Sequence, residues 1–125
     1  MGLILDSQIM IWSLKADPLL KPQTVDLLRK HSGDLFLSVA SIWETEMKIA
    51  IGKLNLPGDL LEGVAALALT VLPIVERDAR TAARLPLHHR DPFDRMIVAH
   101  AINHGLTLVT SDRMLGAYGT PVILA

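Results

Sequence analysis

The stretch DPFDRMIVAHAINHGLTLVTSD, residues 91–112, predicts a helix that turns into a buried strand. Its opening Asp-Pro pair is typical of an N-cap followed by proline at the first helical position, and Gly105 is typical of a helix end. The apolar run at residues 106–110 predicts a buried strand. Because such a helix packs antiparallel to its strand, it begins at the strand's carboxyl edge. We therefore expect Asp94, in the first turn of the helix, and Asp112, just past the strand, at one edge.

The rest of the chain alternates in the same way between apolar strands and amphipathic helices. Further strands are predicted at residues 2–6, 34–38, 70–75 and 120–125. Helices are predicted at residues 7–16, 22–32, 39–54, 76–85 and, after a turn, within 55–69, with a short helix or turn at 111–119. This alternation predicts an α/β fold around a mainly parallel sheet. In such sheets ligands bind beyond the carboxyl ends of the strands.

Composition narrows the class of protein. A length of 125 residues favours one domain, residues 1–125, and a 50% hydrophobic content is enough for a buried core. The formal net charge is −1 and there is no basic run, so a polyanionic ligand would require positive charge from metal ions. The absence of cysteine excludes thiolate chemistry and fits a cytoplasmic protein. Asp6 interrupts the first apolar segment, so we expect no signal peptide. The apolar stretch at residues 60–75 contains Glu62, Gly63 and Pro73 and is too short for a membrane span.

Four acids fall at the predicted carboxyl edge: Asp6 after the first strand, Glu44 after the second, Asp94 and Asp112. Four carboxylates at one edge repel one another unless a cation lies among them. Carboxylates with water and phosphate oxygens are the ligands that Mg²⁺ and Mn²⁺ prefer. A metal held there can polarise a phosphodiester and lower the pKa of a water nucleophile.

Each acid also has an ordinary structural explanation. Ser41 and Glu44 have the spacing of a capping box. Asp91 caps a helix that has Asp94 at its third position, and the pair Ser111-Asp112 fits a cap with an acid in the first turn. Asp6 could end its strand in a turn. These explanations treat the acids singly and do not account for their shared edge.

The chain resembles PIN-domain ribonucleases of the VapC toxin type. The resemblance is carried by LILDSQIMIWSL, LFLSVASIWETEMKIAIGKLNLP, LPLHHRDPFDRMIVAHAINHGLTLVTSD and AYGTPVI, which occur in the family's order and cover most of the chain. It implies a PIN-like, three-layer α/β/α domain and a cytoplasmic, Mg²⁺- or Mn²⁺-dependent endoribonuclease. It further implies an RNA substrate, a cognate antitoxin protein that inhibits the enzyme, and a homodimer.

The family's four acids carry over by position to Asp6, Glu44, Asp94 and Asp112. The resemblance implies that Asp6 and Asp94 bind the metal directly, and that Glu44 and Asp112 complete the site and help to orient the attacking water. Ser7 and Ser111 are expected to orient these ligands by hydrogen bonds. Ser7 stands where threonine is commoner, and Gln8 stands where histidine is frequent, which affects an expected substrate contact rather than the metal site. Thr110 either shares the orienting role or simply ends its strand.

Other polar and aromatic residues have two interpretations each. Lys48 is spaced for an ion pair with Glu44 and could also hold a phosphate. Arg95 and Arg113 each follow a site acid, and could contact RNA or lie in solvent. His100 and His104 share a helix face, which favours a surface or partner contact over a metal site, and His88 and His89 lie in a loop. Trp12 and Trp43, with Ile9 and Met10, favour the core over base stacking, and some could instead serve a dimer or antitoxin surface.

Two other function classes are consistent with a strand-end aspartate. Aspartate-nucleophile phosphatases need a second aspartate two residues later, where this chain has Gln8, and receiver domains need paired acids at that strand end. A PIN-like interaction module without catalysis, or a protein whose apolar surface is its purpose, would be indifferent to Asp94→Asn. The four intact acids favour the nuclease.

Overall fold

The computed structural model describes residues 2–88 and 90–125. The strands are β1 (Leu3–Leu5), β2 (Leu35–Ser38), β3 (Thr70–Leu72), β4 (Thr107–Thr110) and β5 (Val122–Leu124). The helices are α1 (Ser7–Lys15), α2 (Pro22–Lys30), α3 (Val39–Ala50), α4 (Leu60–Ala66), α5 (Glu76–Arg84) and α6 (Pro92–His104), with a 3₁₀ helix at Arg113–Tyr118. The predicted α/β class is confirmed.

The strands form one sheet in the order β3-β2-β1-β4-β5, and every pairing is parallel. From β1 the chain moves outward through β2 to β3, and then returns to add β4 and β5 on the other side of β1. The strand order therefore reverses between β1 and β4. In open α/β sheets the crevice at such a reversal, beyond the carboxyl ends of the strands, is where ligands bind.

Alternate residues of the strands build a separate core on each face of the sheet. On one face Leu3 and Leu5 pack with α1 and α4, and on the other Ile4 and Leu108 pack with α6. Strands buried on both sides have near-continuous apolar sequences, because helices cover both faces. The arrangement is the three-layer α/β/α fold that the resemblance implies.

Helix ends explain where the predicted boundaries were right and wrong. The start and end of α6 are as predicted: Asp91 accepts a hydrogen bond from the N–H of Phe93 at 2.9 Å, and Gly105 takes a left-handed φ of 64°. Helix α3 ends at Ala50, earlier than predicted, and Gly52 follows with a φ of 76°. Strand β3 stops at Leu72 because the next residue is a proline, which has no N–H for the sheet. In residues 2–88 and 90–125 every helix is too short or too polar to cross a membrane.

Candidate active site

Asp6 lies at the reversal point between β1 and β4. Its backbone N–H donates to the carbonyl of Val109 at 3.1 Å, which continues the β1–β4 pairing by one residue. Its carboxylate is the N-cap of α1, accepting from the N–H of Ile9 at 2.8 Å. The side chain is 6% exposed, so it faces a crevice rather than open solvent. The turn role offered as the ordinary explanation for Asp6 is replaced by a helix cap that uses one of its two oxygens.

Thr110 joins Asp6 to Asp112 through one buried hydroxyl. The Oγ1 atom donates to Oδ2 of Asp6 and accepts from the backbone N–H of Asp112 at 3.0 Å. The sequence left open whether Thr110 orients a ligand or ends its strand; it ends β4, and its hydroxyl also bonds to the candidate ligand Asp6. Ser111, which was expected to supply such a hydrogen bond, is exposed. Ser111 lies just past the end of β4, so the hydroxyl that bonds to Asp6 is that of the last strand residue, Thr110.

The environment of Asp6 opposes its charged form. Burial raises the pKa of the Asp6 carboxyl above its ordinary value of 3.8, and the negative charge of Asp112 raises it further. The hydrogen bonds from Thr110 and from the N–H of Ile9 act in the opposite direction but do not cancel the effect. A cation beside Asp6 would reverse the balance, because it favours the ionised carboxylate.

Asp112 itself caps the 3₁₀ helix. Its Oδ1 accepts from the N–H of Met114 at 2.9 Å, so the cap is Asp112 and not Ser111 as the sequence suggested. One carboxylate oxygen is thus committed to the backbone, as in Asp6. Asp6 and Asp112 occupy equivalent positions, since each follows a strand at the reversal point and each is the N-cap of the helix that begins there.

Glu44 reaches the same edge from the second turn of α3. Its Oε1 accepts from the hydroxyl of Ser7 at 2.8 Å, and its Oε2 lies 3.7 Å from Nζ of Lys48. The capping box with Ser41 is wrong, because α3 begins at Val39 with Ser38 as its N-cap. That correction removes the capping explanation for Glu44, while the predicted ion pair with Lys48 is present. Ser7, the residue after Asp6, brings Glu44 to the end of β1.

Asp94 lies at the third position of α6 and is half-buried. The residue before it, Phe93, makes an edge-to-face ring contact with Trp43, the residue before Glu44, with 5.2 Å between ring centroids. The start of α6 is therefore packed against α3 at the level of Glu44. These contacts bring the segment that carries Asp94 beside the segment that carries Glu44, and the convergence of all four acids stays a prediction.

The donor set fits a hard divalent cation, since it offers carboxylate and hydroxyl oxygens without cysteine. Within residues 2–88 and 90–125, no three or more Asp, Glu or His side chains converge as they would around a bound ion. Glu44 shows one reason, since its two oxygens are engaged by Ser7 and Lys48. Binding of an ion by three or four of these acids would therefore require their side chains to rotate.

Arg95 has neither of its two predicted roles. It is buried, and its guanidinium donates to the carbonyls of Ala82, Leu85 and Pro86 at 2.7–3.0 Å. These carbonyls end α5 and begin the following loop, where backbone oxygens have no intrahelical partner. Arg95 therefore fixes the start of α6 to the end of α5 and does not contact a ligand.

His100 was expected at a surface or partner contact, and the structure contradicts this. The side chain is fully buried, and Nε2 lies 3.1 Å from the carbonyl of Pro73 and 3.3 Å from Oδ2 of Asp78. His104 is exposed, with its ring centroid 5.8 Å from that of His100. In the loop, His88 contacts the ring of Tyr118, and His89 lies outside the described residues.

A groove of about 870 Å³ lies apart from the four acids, between α1, α2 and the end of α4. Leucine side chains form much of its wall, among them Leu20, Leu28 and Leu69. None of the four acids lines it. The four acids therefore lie outside this groove.

Comparison with known proteins agrees with the fold. The family model of the PIN domain matches residues 3–120. Ribonuclease VapC22 of Mycobacterium tuberculosis is 32% identical over 126 residues, which cover 94% of this chain and 92% of that protein. VapBC2 from Rickettsia felis, solved with a DNA fragment from its promoter, has a TM-score of 0.75 at 14% identity, covering 100% of this chain and 99% of that one. A toxin–antitoxin complex from Klebsiella pneumoniae has a TM-score of 0.70 at 17% identity, covering 98% and 96%.

At their low identities the two solved structures show only a shared fold. The family model and the 32% identical relative show family membership. The four stretches that carry the resemblance to VapC-type proteins lie almost wholly within the matched residues. The chain belongs to the PIN domain family and is a member of its VapC type.

Proposed function

We propose that this chain is an endoribonuclease that hydrolyses RNA phosphodiester bonds with Mg²⁺ or Mn²⁺, and that it is the toxin of a toxin–antitoxin pair. The observation that carries the proposal is Asp6, a buried carboxylate at the strand-order reversal, which accepts from the Thr110 hydroxyl that in turn accepts from the backbone N–H of Asp112. The relative VapC22 is named a ribonuclease, which supports the same reaction.

The proposed metal ligands are the four acids in two pairs. Asp6 and Asp94 bind the ion directly, and Glu44 and Asp112 complete the site, directly or through water. Ser7 orients Glu44 and Thr110 orients Asp6 through the hydrogen bonds already described. The ion, when bound, supplies a polarised phosphodiester and a more acidic water.

The proposed partners follow from the same relatives. The solved complex from Klebsiella pneumoniae pairs a toxin with an antitoxin, and we propose a cognate antitoxin for this chain. We further propose that residues 1–125 are one nuclease domain, that it forms a homodimer, and that it acts in the cytoplasm. Size-exclusion chromatography of the free protein tests the dimer.

The decisive experiment incubates purified protein, free of antitoxin, with total bacterial RNA and Mg²⁺ or Mn²⁺. The samples are wild type, wild type with EDTA, Asp94→Asn and Asp91→Asn. Asp91 is a matched control because it precedes Asp94 by one helical turn and its cap is retained by asparagine. Discrete cleavage lost with EDTA and in Asp94→Asn, but kept in Asp91→Asn, supports the proposal.

The alternative is a PIN-like interaction module without catalysis. It predicts no cleavage in any sample and no heat of Mn²⁺ binding by calorimetry. Metal binding without cleavage would support the metal site and would indicate that the RNA tested does not contain the substrate. Cleavage that survives EDTA would rule out the metal mechanism.

A further inference from the structure

Two aromatic residues stand directly before two of the site acids, on different helices. Trp43 precedes Glu44 on α3, and Phe93 precedes Asp94 on α6. Their rings are in contact, with centroids 5.2 Å apart and planes inclined by 79°. Trp43 is 62% exposed, although the amphipathic pattern of α3 predicts it in the core. An indole is thus held where α3 meets the start of α6, the two segments that carry Glu44 and Asp94, with most of its surface open.

An exposed tryptophan held by a second ring is suited to stacking. Aromatic side chains are rigid, so they lose little conformational freedom on binding. Every base has a π-face, and stacking of unpaired bases on aromatic rings is how proteins bind single-stranded RNA without strict sequence preference. The contact with Phe93 fixes the ring on one side and leaves the remainder for a ligand.

We propose that Trp43, braced by Phe93, stacks an unpaired base of the RNA beside the phosphodiester bond that is cut. The inference rests on the proposed function and deepens it, because it assigns the contact with a base next to the cut bond to one residue outside the four acids. Lys48, exposed and one turn beyond Glu44, lies on the same helix and is placed to meet a neighbouring phosphate.

The same helix offers a competing use for Trp43. Met47 and Ile51 follow at helical spacing and are also exposed, so Trp43 begins an apolar strip that a protein could cover. The position of Trp43 favours RNA, since it is the strip residue adjacent to a site acid and its ring contacts the residue before a second acid.

The test compares Trp43→Leu, Trp43→Phe and Met47→Ala, all made in the Asp94→Asn background so that RNA stays intact. Leucine keeps an apolar surface for a protein partner but cannot stack, phenylalanine can stack, and Met47→Ala removes apolar surface from the same strip. The probe is a random-sequence single-stranded RNA of about 12 nucleotides, within the usual range for such grooves. A second probe of equal length has an abasic backbone. Binding is followed by anisotropy, tryptophan emission and size-exclusion chromatography.

Stacking predicts that Trp43→Leu raises Kd for the RNA roughly 5- to 100-fold, while Trp43→Phe and Met47→Ala stay close to the parent. The parent and Trp43→Leu should bind the abasic probe equally. RNA should quench tryptophan emission of the parent, and Trp43→Phe should lose that quench while keeping affinity.

Unchanged RNA affinity in Trp43→Leu overturns the inference, and it leaves the proposed function intact if wild type cleaves total RNA. If Met47→Ala and Trp43→Leu both change the oligomeric state without changing RNA affinity, the strip is a protein interface and the inference is wrong. If wild type neither binds nor cleaves RNA, the proposed function fails, and the inference fails with it.

Discussion

Asp6 and Asp78 are both buried, at 6% and 1% exposure, yet their pKa values move in opposite directions. Burial raises the pKa of Asp6, and the charge of Asp112 adds to the effect. Burial acts on Asp78 in the same way, but a hydrogen bond from Asn103, one from the N–H of Val75 and the imidazole of His100 outweigh it and lower its pKa.

The difference lies in what each carboxylate faces. Asp78 receives Nδ2 of Asn103 at 2.8 Å and the backbone N–H of Val75 at 3.1 Å, with His100 at 3.3 Å, so both of its oxygens meet donors. Asn103 lies nine residues after Asp94 on α6, which is roughly 14 Å along the helix axis, so the contact with Asp78 is separated from the candidate ligand Asp94. Asp6 also meets donors, from Thr110 and from the backbone N–H groups of Ile9 and Gln8, but it has an acidic neighbour in Asp112. Depth of burial therefore does not separate a structural carboxylate from a candidate ligand, whereas the balance of donors and like charges does.

The largest expected effect is that of Asp6→Asn on catalysis. The substitution keeps the shape and the cap but removes the charge that would hold the metal, so RNA cleavage should fall on the order of 10²- to 10³-fold. The free energy of unfolding should not decrease, because a buried charge beside Asp112 disappears. Initial cleavage rates and urea unfolding measure the two quantities, and cleavage within a few-fold of wild type would contradict the role of Asp6.

Thr110→Val should act on the metal rather than on the fold alone. Valine has the shape of threonine without the hydroxyl that joins Asp6 to the N–H of Asp112, so Mn²⁺ affinity by calorimetry should fall about 10- to 100-fold. Thr110→Ser restores the hydroxyl and should recover most of the affinity. Equal affinities for the valine and serine variants would show that the hydroxyl does not position Asp6.

Asp78→Asn should show the reverse of Asp6→Asn. It removes a carboxylate that accepts from three donors and should lower the free energy of unfolding by about 1–3 kcal/mol. Cleavage per folded molecule should be unchanged, since Asp78 lies between α5 and α6. The same urea titrations and cleavage assays apply, and a loss of activity without a loss of stability would place Asp78 in the site instead.

The smallest expected effect is on the pH dependence of stability. Burial lowers the pKa of His100 below its ordinary value of 6.5, while Asp78 only partly offsets it. Nε2 faces two acceptors and so carries the proton, and Nδ1 is buried without a hydrogen-bond partner in the described part of the chain, so a second proton is disfavoured.

The unfolded chain therefore binds more protons than the folded one below pH 6.5, and the free energy of unfolding should fall as pH falls from there toward the pKa of folded His100. The slope is at most about 1.4 kcal/mol per pH unit for this one group. Urea unfolding across pH 5 to 8 measures it. His100→Gln should remove most of the slope, while His104→Gln, at an exposed position, should keep it. An unchanged slope in His100→Gln would assign it to other groups.

The sequence was sufficient for features that depend on local periodicity. Apolar runs and caps predicted the strands and the ends of α6, and the rule that parallel strands share a carboxyl edge placed Asp6, Glu44 and Asp112 together. The order of the strands, which puts β1 beside β4 and so Asp6 beside Thr110, comes from pairing over 104 residues. A local sequence pattern covers far fewer residues, so it cannot predict this pairing.

Burial of polar side chains was the part that the sequence could not supply. Arg95 and His100 read as surface residues because their partners lie on α5 and at Pro73, up to 27 residues away. The prediction for Trp43 was wrong in the opposite sense, because Trp43 was predicted in the core and is exposed. A broad apolar face on α3 does not show which side of the helix is covered. Ser38 and Ser41 are equally good caps by residue type, and only the backbone decides between them.

The buried guanidinium of Arg95 has a consequence for how an RNA would meet this protein. The one arginine adjacent to Asp94 is directed inward onto backbone carbonyls, so its charge is withdrawn from the approaching phosphates. With a net charge of −1, the protein has little field of its own to draw in a polyanion over a distance. The rate of association with RNA would then depend on the concentration of divalent cations, in addition to any role that these cations have in the proposed reaction.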